Sequence, residues 1–542
     1  MGQGSSLSAR LRRRALLAST FGVPALGGLS GCQPHDARRF DGGWVGASHE
    51  RGHRLRSPGP ALGAQLDTLR RDVVVVGAGV AGVACARALA RSGVDDLLVL
   101  ELEPAPGGNS RGHRLGGSGC PLGAHYLPLP GPHAHEVSEL LFELGLLRLE
   151  AGRTVADERH LCHSPQERLF FDGHWHEGLL PPAAPASRAA AQYRAFAQRI
   201  DRLQREVAFA LPTQRAAWTS AHAALDAVTF AHWLQREGFD DPLLRWYLDY
   251  ACRDDYGADA DTVSAWAGLH YFASRHGFEA PGEDSAERDP LFTWPEGNAW
   301  LVERLAAPLR ERIRSGHTTV QVDEARDTVQ VVAIDERTQQ PLRIVAKAVV
   351  VATPLLVAQR IVSAPPAALV AAAGRARYAP WLVANLLLDA PLFERAEGAT
   401  LAWDNVRHGS PSLGYVAAQH QSLRPDTPAT VLTAYWALRS DQRGALLSDD
   451  WRTWAQRVID DLAVAHPDLP HKVRQVDLMR HGHAMRIPVP GARGDPALAA
   501  LMRARGRVQF AHADLAAYSV FEEAYTLGVQ AADRVLRELR AT

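Results

Sequence analysis

A chain of 542 residues with a formal net charge of −1 has no electrostatic bias toward nucleic acid or acidic partners. Its hydrophobic content of 46% is that of an ordinary globular protein, enough for more than one substantial core. Lys347 and Lys472 are its only lysines; arginine replaces lysine along the whole chain, which marks genomic composition rather than a basic binding patch.

Residues 1–31 read as an address. Arg12-Arg13-Arg14 precede an apolar segment, Ala15 to Leu29, that is too short and too rich in Gly and Pro to span a bilayer. Arg13-Arg14-Ala15-Leu16-Leu17 resembles a twin-arginine export signal, and Leu29-Ser30-Gly31-Cys32 resembles a lipobox whose cysteine becomes acylated. The plainer alternative is a secretory signal with a chance cysteine. Residues 32–69, rich in Gly, Arg, His and Pro without periodicity, are expected to form a tether. The implied location is a bacterial envelope or periplasm, with lipid at Cys32 as the only membrane contact. The other cysteines, Cys85, Cys120, Cys162 and Cys252, match no zinc spacing and specify no disulfide.

At Asp72 the texture changes. Val73–Val76 is a β-branched run of the kind a parallel strand buried on both faces requires. Gly77, Gly79 and Gly82 follow in G-x-G-x-x-G spacing and lead into the alanine-rich helical run Ala81–Arg91. Such glycines permit a tight turn, close approach of a pyrophosphate and close helix–strand packing, while the helix N-terminus offers free N–H groups. A second strand, Leu97–Leu100, ends at Glu101, about 20 residues past the last glycine, where an acid can hold ribose hydroxyls. Gly107-Gly108-Asn109-Ser110-Arg111 extends this fingerprint.

That extension resembles the FAD-binding opening of the flavin amine oxidase family, in which the second glycine pair and a nearby arginine also contact the dinucleotide; Arg111 stands two places later than usual. Pro121-Leu122-Gly123-Ala124-His125-Tyr126 is similar to the family's D-x-G-A-x-W segment, and a helix is expected over Val137–Leu149. The resemblance implies that residues 70–150 form a first part of an FAD-binding domain. Residues 151–290, with helical stretches such as Ala189–Ala210 and Ala221–Gly238, read as a helical insertion over the substrate. Within it, Asp254-Asp255 either binds a cationic substrate or, the commoner case, belongs to an ion-pair network.

Thr293-Trp294-Pro295-Glu296-Gly297-Asn298 resembles the P-x-G-G turn that returns the chain to a second FAD segment, 291–355, and the resemblance places the backbone of Thr319 and Val320 at the adenine. Residues 356–480 are expected to build a substrate domain with strands Trp381–Leu388 and Thr430–Ala437. Many members carry a lysine on the first of these strands; Val383, Ala384 and Asn385 stand there. By the same resemblance, residues 481–542 are expected to complete the FAD domain. Asp514 matches the acid of the F-A-G-x-[E/D] ending that binds the ribityl-phosphate side, and Phe521–Leu539 is a closing helix. His481 and His483 lack a third ligand that would make them a metal site. Val520 falls where the family often places an aromatic cage residue, with Tyr518 nearby.

The resulting expectation is an α/β fold: a Rossmann-like FAD-binding domain made of discontinuous segments, interleaved with an α+β substrate domain and a helical insertion. The resemblance implies FAD held by Gly77, Gly79, Gly82, Glu101, Gly107, Gly108, Arg111, Thr319, Val320 and Asp514. The expected chemistry is oxidation of an amine C–N bond by hydride transfer to flavin N5, which requires neither a nucleophile nor a metal. Oxygen or an envelope electron carrier would be the acceptor. A phytoene desaturase-like C–C desaturase and a non-catalytic nucleotide-binding lipoprotein remain the alternatives.

Overall fold

In the computed structural model, which describes residues 40–56, 68–280, 290–394, 398–421 and 429–541, the four valines lie at the centre of a seven-stranded sheet. Their strand, Thr68–Val76, pairs in parallel with Leu97–Leu100 on one side and Pro341–Val351 on the other. Val73, Val74 and Val75 are fully buried because helices or cap cover both faces of the sheet. The long Pro341–Val351 strand divides its partners: its first half pairs with Val329–Asp335, and Val349–Val351 pair with Val508–Phe510. Three stretches far apart in sequence thus build one sheet.

Its helices pack at unusually close range. A Cβ on Gly528, in the Phe521–Ala541 helix, would stand 2.2 Å from the Ala81 carbonyl oxygen, so only glycine lets this helix lie against Val80–Arg91.

A second sheet of eight strands runs Asp41–Trp44, Val473–Arg486, Tyr378–Leu388, Thr430–Ala437, Tyr415–Ala417, Asp404–Arg407, Glu167–Phe171 and His174–Glu177. Every residue of Tyr378–Leu388 is buried, in keeping with its largely apolar sequence, and its one amide side chain, Asn385, is satisfied by donating to the Pro121 oxygen and accepting from the Thr433 hydroxyl. Helices between Arg188 and His276 form the cap over the space between the sheets.

Three segment boundaries differ from expectation. The tether does not reach residue 69: Asp41–Trp44 is a strand, carried by a pairing partner more than 400 residues away that no local pattern reveals, and His49–His53 is a helix capped by Ser48. The insertion opens with strands, including Glu167–Phe171 and His174–Glu177, before its first long helix, Arg188–Glu206. Val473–Arg486 runs unbroken through residue 481, because its ladder with Tyr378–Leu388 continues to Arg486.

Among the described residues no helix is long and apolar enough to cross a membrane. Cys85, Cys120, Cys162 and Cys252 are free and buried, and burial pushes the thiols of the first three up to about 12. The export signal and Cys32 lie outside the described residues.

Candidate active site

Gly77 has φ +101°, and a Cβ there would meet the Ala352 carbonyl oxygen at 2.6 Å; a Cβ on Gly82 would meet the Gly77 oxygen at 1.9 Å. These two glycines therefore serve the turn and the helix–strand contact. Gly79 differs: its backbone is extended, and a Cβ would have only the Gly108 Cα near it, at 3.9 Å. Gly79 and Gly107 form an isolated bridge, and the Gly107 N–H donates to the Ala78 oxygen. Two glycine turns thus face each other as bare backbone at the N-terminus of Val80–Arg91, whose first-turn N–H groups point outward.

Around this cradle runs a cavity of about 470 Å³. Gly77, Gly79, Glu101, Gly107, Gly108, Arg111, Thr319 and Asp514 line it. Gly82 does not, consistent with its packing role, and neither does Val320. A β-bulge between Thr319 and Gln321 breaks the pairing there, and Thr318 and Thr319 line the cavity in place of the expected Thr319–Val320 pair.

Glu101 is 7% exposed, and its two carboxylate oxygens accept from the backbone N–H groups of Ala78 and Glu103. Burial pushes its pKa up against those donors and Arg111. One lone pair on each oxygen remains for a further donor, as a ribose diol would supply. Arg111 donates through Nε to the Gly108 oxygen and lies 3.9 Å from Glu103, so the second glycine pair holds the guanidinium at the cavity wall.

Asp514 accepts from the Leu355 N–H and the Tyr378 hydroxyl. Burial alone would raise its carboxyl, but His512 and Arg486 outweigh that and hold it down at about 2. Five buried polar atoms of cavity-wall residues have no partner among the described residues: Thr319 Oγ1, Thr353 Oγ1, Asn298 Oδ1, Trp381 Nε1 and Arg275 Nε. Bare glycine backbone together with orphaned donors and acceptors fits a long, polar-edged group such as a dinucleotide.

The cavity continues to the helix Pro242–Tyr256, which brings Asp254 and Asp255 to it. Neighbours on a helix differ by about 100° in direction, and the two acids have different surroundings. Asp255 is buried and accepts the Tyr518 hydroxyl. Beside it Arg275 pairs with Glu522 at 2.8 Å, both side chains under 10% exposed. This network joins cap and closing helix.

Asp254 is half-buried, lines the cavity and accepts no hydrogen bond from a described residue. Burial, then Asp255 and Glu167, push its pKa up to about 7. Asp404, outside the cavity wall, is pushed well above the carboxylate range by burial, Glu167 and Asp254. Aromatic rings complete this end. His125 stacks on Tyr435 at 4.3 Å between centroids and stands edge-on to Tyr126 at 5.1 Å. Burial depresses the His125 pKa to about 3, which keeps the ring neutral at physiological pH.

The profile of the family described as "Flavin containing amine oxidoreductase" matches residues 80–536. The chain belongs to that family.

Among curated relatives, this flavin-containing amine oxidoreductase is 27% identical over 245 residues to the flavin-containing monoamine oxidase AofH of Mycobacterium tuberculosis, covering 45% of this chain and 49% of AofH. It is 29% identical over 180 residues to the putrescine oxidase of Kocuria rosea, covering 32% of this chain and 33% of that one. The aligned part spans half or less of these relatives. The solved cyclohexylamine oxidase of Brevibacterium oxydans IH-35A shares the fold, with a TM-score of 0.64 at 18% identity over 87% of this chain and 99% of that chain. The family's cofactor is FAD, and the cradle residues fit it.

Other expectations are redistributed. Gly297, at φ +63°, turns the chain so that Asn298 lines the cavity, while Glu296 packs against Gly119. His481 pairs through Nε2 with the Leu122 oxygen, and no group of three potential metal ligands occurs among the described residues. Val383 and Val520 line the cavity; Tyr518 is committed to Asp255. Trp381, Thr353 and the N-terminal residues Ala47, Gly52 and Leu55 also line it, none of them signalled by a local motif.

Arg275→Ala is expected to lower stability by about 3–5 kcal/mol, because it leaves Glu522 and Asp255 buried without their cation. A urea titration of the purified variant would read this as a lower midpoint, and an unchanged midpoint would dismiss the network as structural support.

Proposed function

We propose that this protein is an FAD-dependent oxidoreductase that oxidises the C–N bond of a small amine. The observation that carries the reading is Asp254, an acid with no hydrogen-bond partner among the described residues, in the aromatic-walled part of the same cavity that contains the dinucleotide cradle. A carboxylate there attracts an ammonium group and can accept one proton from it. Tyr435, Tyr126 and Trp381 line this part of the cavity, and aromatic rings attract a cation in preference to a neutral apolar chain. Neutral His125 adds no repulsive charge. When bound, FAD supplies the two-electron acceptor, and oxygen or an envelope electron carrier would take the electrons onward.

Anaerobic mixing with mono- and polyamines, amino acids and apolar polyenes tests this reading. Amines should bleach the flavin absorbance. Bleaching by polyenes alone would favour a C–C desaturase, and a protein that takes up no flavin would favour a scaffold role.

We also propose that the enzyme is exported folded and held by lipid at Cys32, a reading supported by Arg13-Arg14 and Leu29–Cys32. Arg13→Lys with Arg14→Lys should block export, and Cys32→Ala should move the mature protein from the membrane to the soluble fraction. Cys32→Ala protein that stays wholly membrane-bound would sink the lipid anchor.

A further inference from the structure

The segment Phe40–Arg56 precedes the family match, which begins at residue 80, yet it is built into the cofactor cavity. It starts on the second sheet, where Asp41–Trp44 pairs in parallel with Gln475–Leu478 and the Arg480 guanidinium lies over the Trp44 ring. It then crosses to the FAD sheet. The Ser48 N–H and Arg51 Nη1 donate to the two oxygens of Glu103, each at 3.2 Å. Arg54 donates to Glu336 at 3.0 Å and to Gln339 at 2.8 Å. Glu336 in turn accepts the hydroxyl of Thr318, a residue of the cavity wall. Between these fastenings Ala47, Gly52 and Leu55 line the cavity.

Both fastenings sit at the end bounded by Glu101, Glu103 and Thr319, the end assigned to adenosine by the fingerprint. Both acids are nearly buried, at 9% and 8% side-chain exposure, so the pairs are less screened than surface ion pairs.

We propose that Phe40–Arg56 is a retaining strap for the cofactor: it covers the adenosine end of the cavity, and FAD leaves only after the Arg51–Glu103 and Arg54–Glu336 pairs open. The proposal rests on the FAD reading. Reciprocity then requires bound FAD to hold the strap down by the same factor by which the strap holds FAD.

Two measurements on the full chain test this. Release of FAD, followed by the gain in flavin fluorescence in the presence of an excess of an FAD-binding apoprotein, should be about tenfold faster in the Arg51→Gln/Arg54→Gln double variant, and Arg337→Gln, at an exposed turn, should release at the wild-type rate. Tryptic cleavage after Arg51, Arg54 and Arg56 of the wild type should slow several-fold when FAD is added to the apoprotein, with cleavage after Arg337 unaffected. Equal release rates together with FAD-independent cleavage would overturn the strap while leaving the flavin reading intact. A wild type that takes up no FAD would overturn both.

Discussion

Gly79→Val should yield a folded protein that purifies without flavin. A Cβ has room in the protein itself, since the nearest atom to it at Gly79 is the Gly108 Cα at 3.9 Å and the backbone is extended, a conformation valine favours. The methyl groups would occupy the surface between the two glycine turns, where the pyrophosphate has to meet bare backbone. A loss of at least about 100-fold in FAD affinity is expected, near 2.7 kcal/mol, with Gly79→Ala intermediate. Gly82→Val should fail differently, by misfolding, because its Cβ would meet the Gly77 oxygen at 1.9 Å. Flavin absorbance and apoprotein melting, measured on all three, separate the cases. A yellow Gly79→Val protein with wild-type affinity would show that the cofactor lies elsewhere.

The cradle was legible because its determinants are local: four valines, three spaced glycines and an acid at the end of the next strand all fall within 30 residues. Local periodicity also marked the closing helix. Two kinds of feature escaped. The first depends on distant pairing, as with Asp41–Trp44, whose composition reads as a linker and which becomes a strand only because the edge of Val473–Arg486 accepts it. The second depends on fine geometry. The bulge after Thr319 excludes Val320 from the cavity wall, and the turn at Gly297 brings Asn298 to it, neither of which residue type alone reveals. Asp254 and Asp255 show both sides of this limit. Substrate contact and ion-pair network are rival readings of the pair; on the helix both acids reach the cavity wall, but Asp255 is committed to the network while Asp254 accepts no hydrogen bond from a described residue.

Asp254→Asn is therefore expected to lower activity and raise stability at once. If its carboxylate receives the substrate ammonium, the variant loses a charge-assisted contact in a water-poor site, and kcat/KM for an amine should fall about 100-fold, near 2.7 kcal/mol. The stability effect follows from the raised pKa. In the folded protein Asp254 holds its proton up to about pH 7, whereas in the unfolded chain it ionises near its ordinary value of 3.8. Between those values the folded state binds more protons than the unfolded one, so this group's contribution to stability falls as pH rises and is lowest above pH 7. Removing the charge should stabilise the substrate-free protein at pH 8 by on the order of 1–3 kcal/mol, with little effect at pH 4. The pH profile gives a third reading: kcat/KM of the wild type should rise through about pH 7 as Asp254 ionises, and the variant should lose that limb. Melting curves at pH 4 and pH 8, with amine kinetics across the same range, decide the matter. Unchanged kinetics would remove Asp254 from substrate binding, and equal destabilisation at both pH values would mean that the carboxylate has a structural partner in the folded protein.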